Sequence, residues 1–333
     1  MKLYTENGYL NTAAILDSPY TFVFVVGGRA IGKTYGTLKE LLDRGTKFLY
    51  MRRTQAQADL ISKPEMSPFK TINRDTGRDI TIKPLTKYNG GIYDGDSLIG
   101  YTVALSTMSN MRGFDASDVD VMVYDEFIPE KHERPIKNEA AAYLNAYETV
   151  NRNRELQGRA ALKSICLANA NDLGNALFLE LGLVQRAERM RKRGQDVYTD
   201  SKRGIMLVLP HESPISAQKR NTSLYRRTEG GEFSAMALDN DFSSESYSKT
   251  GSRPLIEYRP VCGIGELTVY RHKSGNGYYI SAHRTGSPPC WDTDSASRRR
   301  FWRANGWLWE AYLENHVEFE SHLCEILLTR YAT

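Results

Sequence analysis

Cysteine pairs, long apolar runs and a large net charge are all missing from this chain, and each absence narrows the class of protein. No apolar run reaches about 18 residues, so we expect no membrane span. Residues 1–11 lack the basic and apolar regions of a signal peptide. A formal net charge of +4 permits contact with nucleic acid without arguing for it. Four cysteines without C-x-x-C spacing are most simply reduced thiols: Cys166, Cys262, Cys290 and Cys324.

The composition is that of a soluble globular protein, with 41% hydrophobic and 25% charged residues. A length of 333 residues predicts about two folded domains. Changes in periodicity and in Ser, Gly and Asn content along the chain indicate where they meet. We predict a nucleotide-binding domain over residues 1–200, a linker or lid region over 201–252, and a C-terminal domain over 253–333.

The most informative motif is G-G-R-A-I-G-K-T, a complete P-loop of the form G-x-x-x-x-G-K-[ST]. It follows the β-branched run Phe22–Val26 and precedes a helical pattern over Tyr35–Asp43, which is the context that the motif requires. Lys33 is expected to reach the β- and γ-phosphates of a nucleotide, and the Thr34 hydroxyl to bind Mg²⁺. The expected nucleotide contacts are Gly27, Gly28, Arg29, Ala30, Ile31, Gly32, Lys33 and Thr34.

A second apolar run, Val119 to Tyr124, ends in Asp125 and Glu126, which is a Walker B pattern. Asp125 is predicted to hold Mg²⁺, and Glu126 to act as the general base that polarises the attacking water. A buried strand that ends in solvated acids is common, so the preceding P-loop is what favours the catalytic interpretation.

A third strand over Leu162–Ala168 brings Asn169 to its tip, where the amide could sense a γ-phosphate or simply close a turn. A helix is predicted over Asn138–Gly158, and one more strand over Asp196–Leu209. Arg152 and Arg154 lie at its C-terminal end, either as favourable partners of the helix dipole or as a finger for a neighbour's γ-phosphate.

Six short blocks fall in an order that resembles the phage genome-packaging ATPases. They are G-G-R-A-I-G-K-T, Y-M-R-R, V-M-V-Y-D-E-F-I, T-V-N-R-N-R-E, S-I-C-L-A-N-A and M-A-L-D-N-D-F. The resemblance is to the encapsidation protein of the small short-tailed picovirus-type phages, compact relatives of the large terminase subunits. It extends over most of residues 22–242.

This resemblance implies an ATPase that uses ATP and Mg²⁺ and forms a homomeric ring, a pentamer, on the portal vertex of an empty prohead in the host cytoplasm. Double-stranded DNA, the portal protein and, where one exists, a structural RNA are the implied partners. The implied fold is α/β, a P-loop NTPase of the additional-strand, terminase-like type with a mostly parallel sheet.

The resemblance also implies site roles. Arg152, rather than Arg154, becomes the trans-acting finger, and Arg112 reaches across the same subunit interface. Asn169 acts at the strand tip. Lys131, in the loop after Walker B, contacts DNA.

Beyond residue 252 the runs Leu255–Ile264, Glu266–Lys273 and Tyr278–Arg284 predict three antiparallel strands, followed by helices. They resemble the RNase H-like nuclease of large terminases. A two-metal nuclease needs clustered carboxylates, and these runs hold too few. We therefore expect a smaller α+β domain with a degenerate nuclease fold.

Three functions remain distinct at this point. The leading hypothesis is a DNA-translocating ring ATPase without nuclease activity. The first alternative is a large terminase that also cuts DNA, and the second is a nucleotide-gated DNA-binding scaffold that does not hydrolyse ATP.

Overall fold

A computed structural model describes residues 1–110, 113–130, 133–134, 136–231, 234, 237–238, 250–275 and 277–332. The chain divides into two compact units. The large unit comprises Met1–Leu181 and Arg189–Ser243, and the C-terminal unit comprises Gly182–Glu188 and Ser244–Thr333. None of the helices among the described residues combines the length and the apolar composition of a membrane span.

The large unit is built on a nine-stranded sheet with the order β3-β4-β5-β2-β6-β7-β1-β9-β8. All pairings from β5 to β9 along this order are parallel, whereas β3, β4 and β8 add antiparallel edges. The mostly parallel sheet predicted from the sequence is confirmed. The strands are β1 Phe22–Val26, β2 Phe48–Arg52, β3 Ile80–Pro84, β4 Asn89–Asp94, β5 Ser97–Ala104, β6 Val121–Asp125, β7 Lys163–Ala168, β8 Val197–Asp200 and β9 Ile205–Val208.

The central strands are mostly apolar, so helices and neighbouring strands can bury them, and their polar residues lie at or near the strand ends. Residues Val23–Val26 of β1 are fully buried, as is typical of parallel strands. One buried cluster joins β1 and β6 to the helix after the P-loop through Val23, Val123 and Leu38. The helices of the chain up to residue 231 are α1 Thr12–Leu16, α2 Lys33–Asp43, α3 Gln55–Ile61, α4 Lys70–Thr76, α5 Glu139–Asn151, α6 Ala176–Glu180, α7 Val184–Arg193, α8 Pro214–Lys219 and α9 Ser223–Arg227.

Two element boundaries predicted from the sequence are wrong. The helix expected to continue to Gly158 ends at Asn151, because Arg152 takes a positive φ of 48° that an α-helix cannot contain. The single strand expected over Asp196–Leu209 is the antiparallel pair β8 and β9, with Gly204 at φ 63° between them. Since β9 lies beside β1, the large sheet extends past residue 200, and the three-part division of the chain stays a prediction.

The C-terminal unit has a five-stranded sheet with the order β13-β10-β11-β12-β14. β10, β11 and β12 are antiparallel neighbours and helices follow them, as predicted. Tryptophan side chains pack against the core of this unit, and Trp302 Nε1 donates to the Tyr331 carbonyl at 2.7 Å. The elements are β10 Tyr258–Ile264, β11 Leu267–His272, β12 Tyr278–Ser281, β13 Cys290–Trp291, β14 Val317–Phe319, α10 Ser295–Ala304, α11 Gly306–Leu313 and α12 His322–Ala332.

Candidate active site

The loop between β1 and α2 has the backbone shape of a phosphate cradle. Ala30 and Gly32 have φ values of 60° and 92°, so the chain turns sharply before the helix begins at Lys33. A Cβ atom on Gly28 would lie 2.7 Å from the Ala237 carbonyl oxygen, which excludes a larger residue there. Gly32 has no side chain with which to cap α2. The first N–H groups of that helix are therefore suited to an anion.

Lys33 lies beneath this loop and is 8% exposed. Its Nζ donates to the carbonyl oxygens of Gly27 and Gly28, both at 2.7 Å, and to Asn169 Oδ1 at 3.0 Å. Burial lowers the pKa of Lys33 to about 7, although the nearby Asp125 carboxylate opposes that shift. A phosphate group in the loop would be a negatively charged partner for this buried amine and would favour its protonated form.

Thr34 and Asp125 meet where α2 faces the end of β6. The Thr34 hydroxyl lies 3.0 Å from Asp125 Oδ1 and 3.1 Å from Oδ2. Tyr50, in β2, donates its hydroxyl to Oδ2 at 2.6 Å. A hydroxyl and a buried carboxylate are hard oxygen ligands of the kind that Mg²⁺ prefers, so these residues fit the predicted ion.

Glu126 follows immediately in a strained conformation, with φ 55°. Its N–H donates to Asp125 Oδ1 at 3.1 Å, and its carboxylate forms an ion pair with Arg52. The Arg52 guanidinium also contacts Asp125 Oδ2 at 3.2 Å. Burial raises the pKa of the Glu126 carboxyl, and the positive charge of Arg52 works in the opposite direction. The same arginine thus contacts both Walker B carboxylates.

These residues surround one cleft of about 280 Å³. Most of the predicted nucleotide and catalytic residues line it directly. Ile31 instead is buried beside the loop, and its carbonyl accepts from the Leu10 N–H at 2.9 Å. The lining residues are Arg29, Ala30, Gly32, Lys33, Thr34, Tyr35, Asp125, Glu126, Ala168 and Asn169.

Tyr50 and Arg52 are site residues that were not predicted from the sequence, although both belong to β2, the strand that carries the Y-M-R-R block. A signal was present, because the carboxyl ends of parallel strands meet at one edge of the sheet and Arg52 ends such a strand. Its partners depended on β2 lying next to β6, which the sequence did not specify.

Arg152 and Arg154 are in different environments although only one residue separates them. The Arg152 side chain is 45% exposed, with contacts of 3.2 Å to the Phe114 carbonyl and 3.4 Å to Asp115. The Arg154 side chain is 4% exposed and donates to the carbonyl oxygens of Ser117, at 2.8 Å, and Val119. Neither arginine lines the cleft of its own chain.

Two further predicted site residues cannot be placed. Arg112, expected at the subunit interface, and Lys131, expected to contact DNA, lie outside the described residues. Arg29, the basic residue inside the P-loop, pairs with Glu130 at 2.8 Å, one residue before Lys131.

The sequence profile of a family described as the podovirus DNA encapsidation protein (Gp16) matches residues 5–255. The DNA packaging protein of Bacillus phage PZA is 29% identical over 244 residues, which cover 72% of this chain and 67% of that protein. The DNA packaging protein of Bacillus phage phi29 is 29% identical over 243 residues, with the same two shares.

A solved structure has a similar fold over almost the whole chain. It is described as the bacteriophage Phi-29 viral genome packaging motor assembly, and its matching chain has a TM-score of 0.70 at 20% identity. The match covers 98% of this chain and 100% of that one, and it shows a shared fold. Since the family profile spans well over half of the 333 residues, the chain belongs to the podovirus DNA encapsidation protein (Gp16) family.

Proposed function

We propose that this chain is an ATP-driven motor subunit that moves double-stranded viral DNA through a portal into an empty prohead. The observation that carries the proposal is the convergence of Lys33, Thr34, Asp125 and Glu126 on one cleft in a member of the encapsidation family. ATP and Mg²⁺ are the proposed ligands. The host cytoplasm, at the prohead portal vertex, is the proposed place of action.

The chain's own groups divide the work of hydrolysis. Lys33 and the N-terminal N–H groups of α2 bind phosphate oxygens, and Thr34 with Asp125 would hold Mg²⁺, which supplies charge neutralisation when bound. Glu126 accepts a proton from the attacking water, for which a raised pKa is suitable. Because Arg52 pairs with that carboxylate, the pair must open before Glu126 can act. Asn169, which contacts Lys33, would sense the γ-phosphate.

We propose a homomeric ring because Arg152 does not line the P-loop cleft of its own chain, as the described residues show it. Arg152 is exposed and has only long contacts to Asp115 and to the Phe114 carbonyl among those described above, so it is the proposed finger for the site of a neighbouring copy. Arg112 is proposed to join it across the interface, and Lys131 to contact the DNA backbone. Five copies, a portal partner and, where one exists, a structural RNA are proposed through the family membership.

The ATPase rate per chain is expected to rise with protein concentration, because an incomplete site gains its finger only when copies assemble. The measurement is steady-state ATP turnover against chain concentration, with and without double-stranded DNA. Lys33→Ala provides the background rate. A rate per chain that stays constant over the whole range would contradict the shared site and leave each chain as an independent hydrolase.

Cutting of DNA is not part of the proposed activity. Neither β10, with the sequence YRPVCGI, nor β12, with YYIS, carries an acidic residue, and Glu257 precedes β10 in a short 3₁₀ helix. A two-metal nuclease needs carboxylates clustered at strand ends. Nicking of supercoiled plasmid by the full chain in Mn²⁺ would instead favour the terminase alternative, with Glu126→Gln as the control for ATP-dependent effects.

A further inference from the structure

Arg53, the residue after β2, is fully buried yet charged. Its guanidinium donates to both carboxylate oxygens of Glu139, at 2.8 and 3.0 Å, and to Glu133 Oε2 at 3.0 Å. A forked guanidinium held by two carboxylates has a single geometry, which fixes the elements that carry them. Arg53 also directly follows Arg52, which holds the Walker B carboxylates.

One end of this network is the start of α5. Glu139 is the first residue of α5, and the preceding Asn138 has φ 52° and makes no side-chain cap. The helix start is instead held by Arg53 and by the Tyr124 hydroxyl, which donates to Glu139 Oε1 at 2.9 Å. Tyr124 immediately precedes Asp125 in β6. The hydrogen bond between Tyr124 and Glu139 therefore connects the start of α5 to the Walker B strand, in the absence of a side-chain cap from Asn138.

The other end of the network reaches the P-loop. Glu133 Oε2 accepts the N–H of Glu130 at 3.2 Å, and Glu133 N–H donates to the Glu130 carbonyl at 2.9 Å. The Glu130 side chain in turn pairs with Arg29 of the P-loop. A continuous path of ionic and hydrogen-bonded contacts therefore connects Arg29 to Glu139 through Glu130, Glu133 and Arg53.

The helix α5 connects this network to Arg152, because Glu139 is its first residue and Arg152 directly follows its last. Its 13 residues extend about 20 Å. Along the way the Tyr143 hydroxyl contacts Ser164 Oγ at 2.5 Å, and the Tyr147 hydroxyl donates to the Leu162 carbonyl at 2.9 Å. These contacts attach α5 to β7 and to the residue before it, so the helix has one position relative to the sheet.

We propose that Arg53 is a positioning residue that fixes α5, and through it Arg152, relative to the subunit's own P-loop and Walker B strand. The network thereby aligns the finger that one copy offers to the next. This inference rests on the proposed function, in which Arg152 acts in a neighbouring site. It assigns to Arg53 and Glu139 a role in the donor of the finger and not in the acceptor.

Mixtures of two inactive variants distinguish the subunit that donates the finger from the subunit whose nucleotide site accepts it. Arg152→Ala keeps its nucleotide site but offers no finger, and Lys33→Ala keeps its finger but has no working site. ATP turnover recovered on mixing therefore comes only from Arg152→Ala sites served by Lys33→Ala fingers. Glu139→Gln, which keeps size but weakens the fork with Arg53, is then placed in either partner.

We expect Glu139→Gln in the Lys33→Ala donor to lower the recovered rate about tenfold. In the Arg152→Ala acceptor the same change should alter it less than about twofold. Glu148→Gln, an exposed glutamate on the same helix, is the matched control in both partners. Arg53→Lys, which keeps the charge without the fork, repeats the test should Glu139→Gln lower the unfolding temperature.

The outcomes are distinguishable. Equal losses in donor and acceptor would mean that the network supports the fold in general, and no loss in either would mean that it does not place the finger. Both results overturn the inference while the shared site stands. Failure of the simple Arg152→Ala and Lys33→Ala mixture to recover any turnover overturns the shared site itself, and the inference with it.

Discussion

Replacing Arg152 with alanine is expected to lower ATP turnover by about 10³- to 10⁵-fold while ATP still binds, because a finger acts only on the transition-state charge. Its present contacts are long and solvent-exposed, so their loss should change the free energy of unfolding by less than about 1 kcal/mol. The measurements are kcat, nucleotide affinity by a fluorescent ATP analogue, and thermal unfolding of the same preparation.

Arg154→Ala is the informative comparison because the two arginines differ in burial and not in chemistry. Arg154 donates to the carbonyl oxygens of Ser117 and Val119, and Arg159 also donates to that of Ser117. Removal of Arg154 therefore takes a donor from the buried Val119 carbonyl, which should destabilise the fold by about 2 kcal/mol. Catalytic loss without destabilisation in Arg152→Ala, and destabilisation in Arg154→Ala, would assign the roles. The reverse pattern would make Arg154 the finger and contradict the present assignment.

The phosphate loop could be predicted from the sequence because its chemistry is local. Eight consecutive residues, from the end of β1 into the first turn of α2, specify the glycine turns and the position of Lys33. The meeting of Thr34 with Asp125 was predictable too, since parallel strands bring their carboxyl ends to one edge of the sheet. Fold class and family follow from the same local blocks, and both are confirmed.

The partners of buried charges could not be predicted, because they depend on which strands are neighbours. Arg52 and Arg53 are adjacent in sequence, yet one serves Asp125 and Glu126 and the other Glu133 and Glu139. Nothing in the Y-M-R-R block indicates which arginine contacts which pair of carboxylates. The alternation of strand residues sends the two side chains in different directions, and the position of β2 beside β6 then determines what each one meets.

Replacing Glu126 with glutamine is expected to lower kcat by about 10²- to 10⁴-fold, because an amide cannot accept the proton that the attacking water must lose. Glutamine keeps the size of the side chain. The Thr34 and Tyr50 contacts to Asp125 do not involve Glu126, so nucleotide affinity and the Mg²⁺ requirement should be retained. Single-turnover hydrolysis and equilibrium ATP binding measure the two quantities separately.

Asp125→Asn is the matched control, since it also changes a Walker B carboxylate to an amide. Asp125 is the proposed ion ligand, so its loss should raise the Mg²⁺ concentration for half-maximal binding of ATP, which Glu126→Gln should leave unchanged. Loss of ATP binding in Glu126→Gln would show that Glu126 binds the nucleotide and is not the base. Hydrolysis within about tenfold of the wild-type rate would mean that another group accepts the proton. Arg52 pairs with both carboxylates, so it keeps one charged partner in each of the two variants. A difference in behaviour between Glu126→Gln and Asp125→Asn therefore reports the role of the carboxylate that was lost, and not the loss of all partners of Arg52.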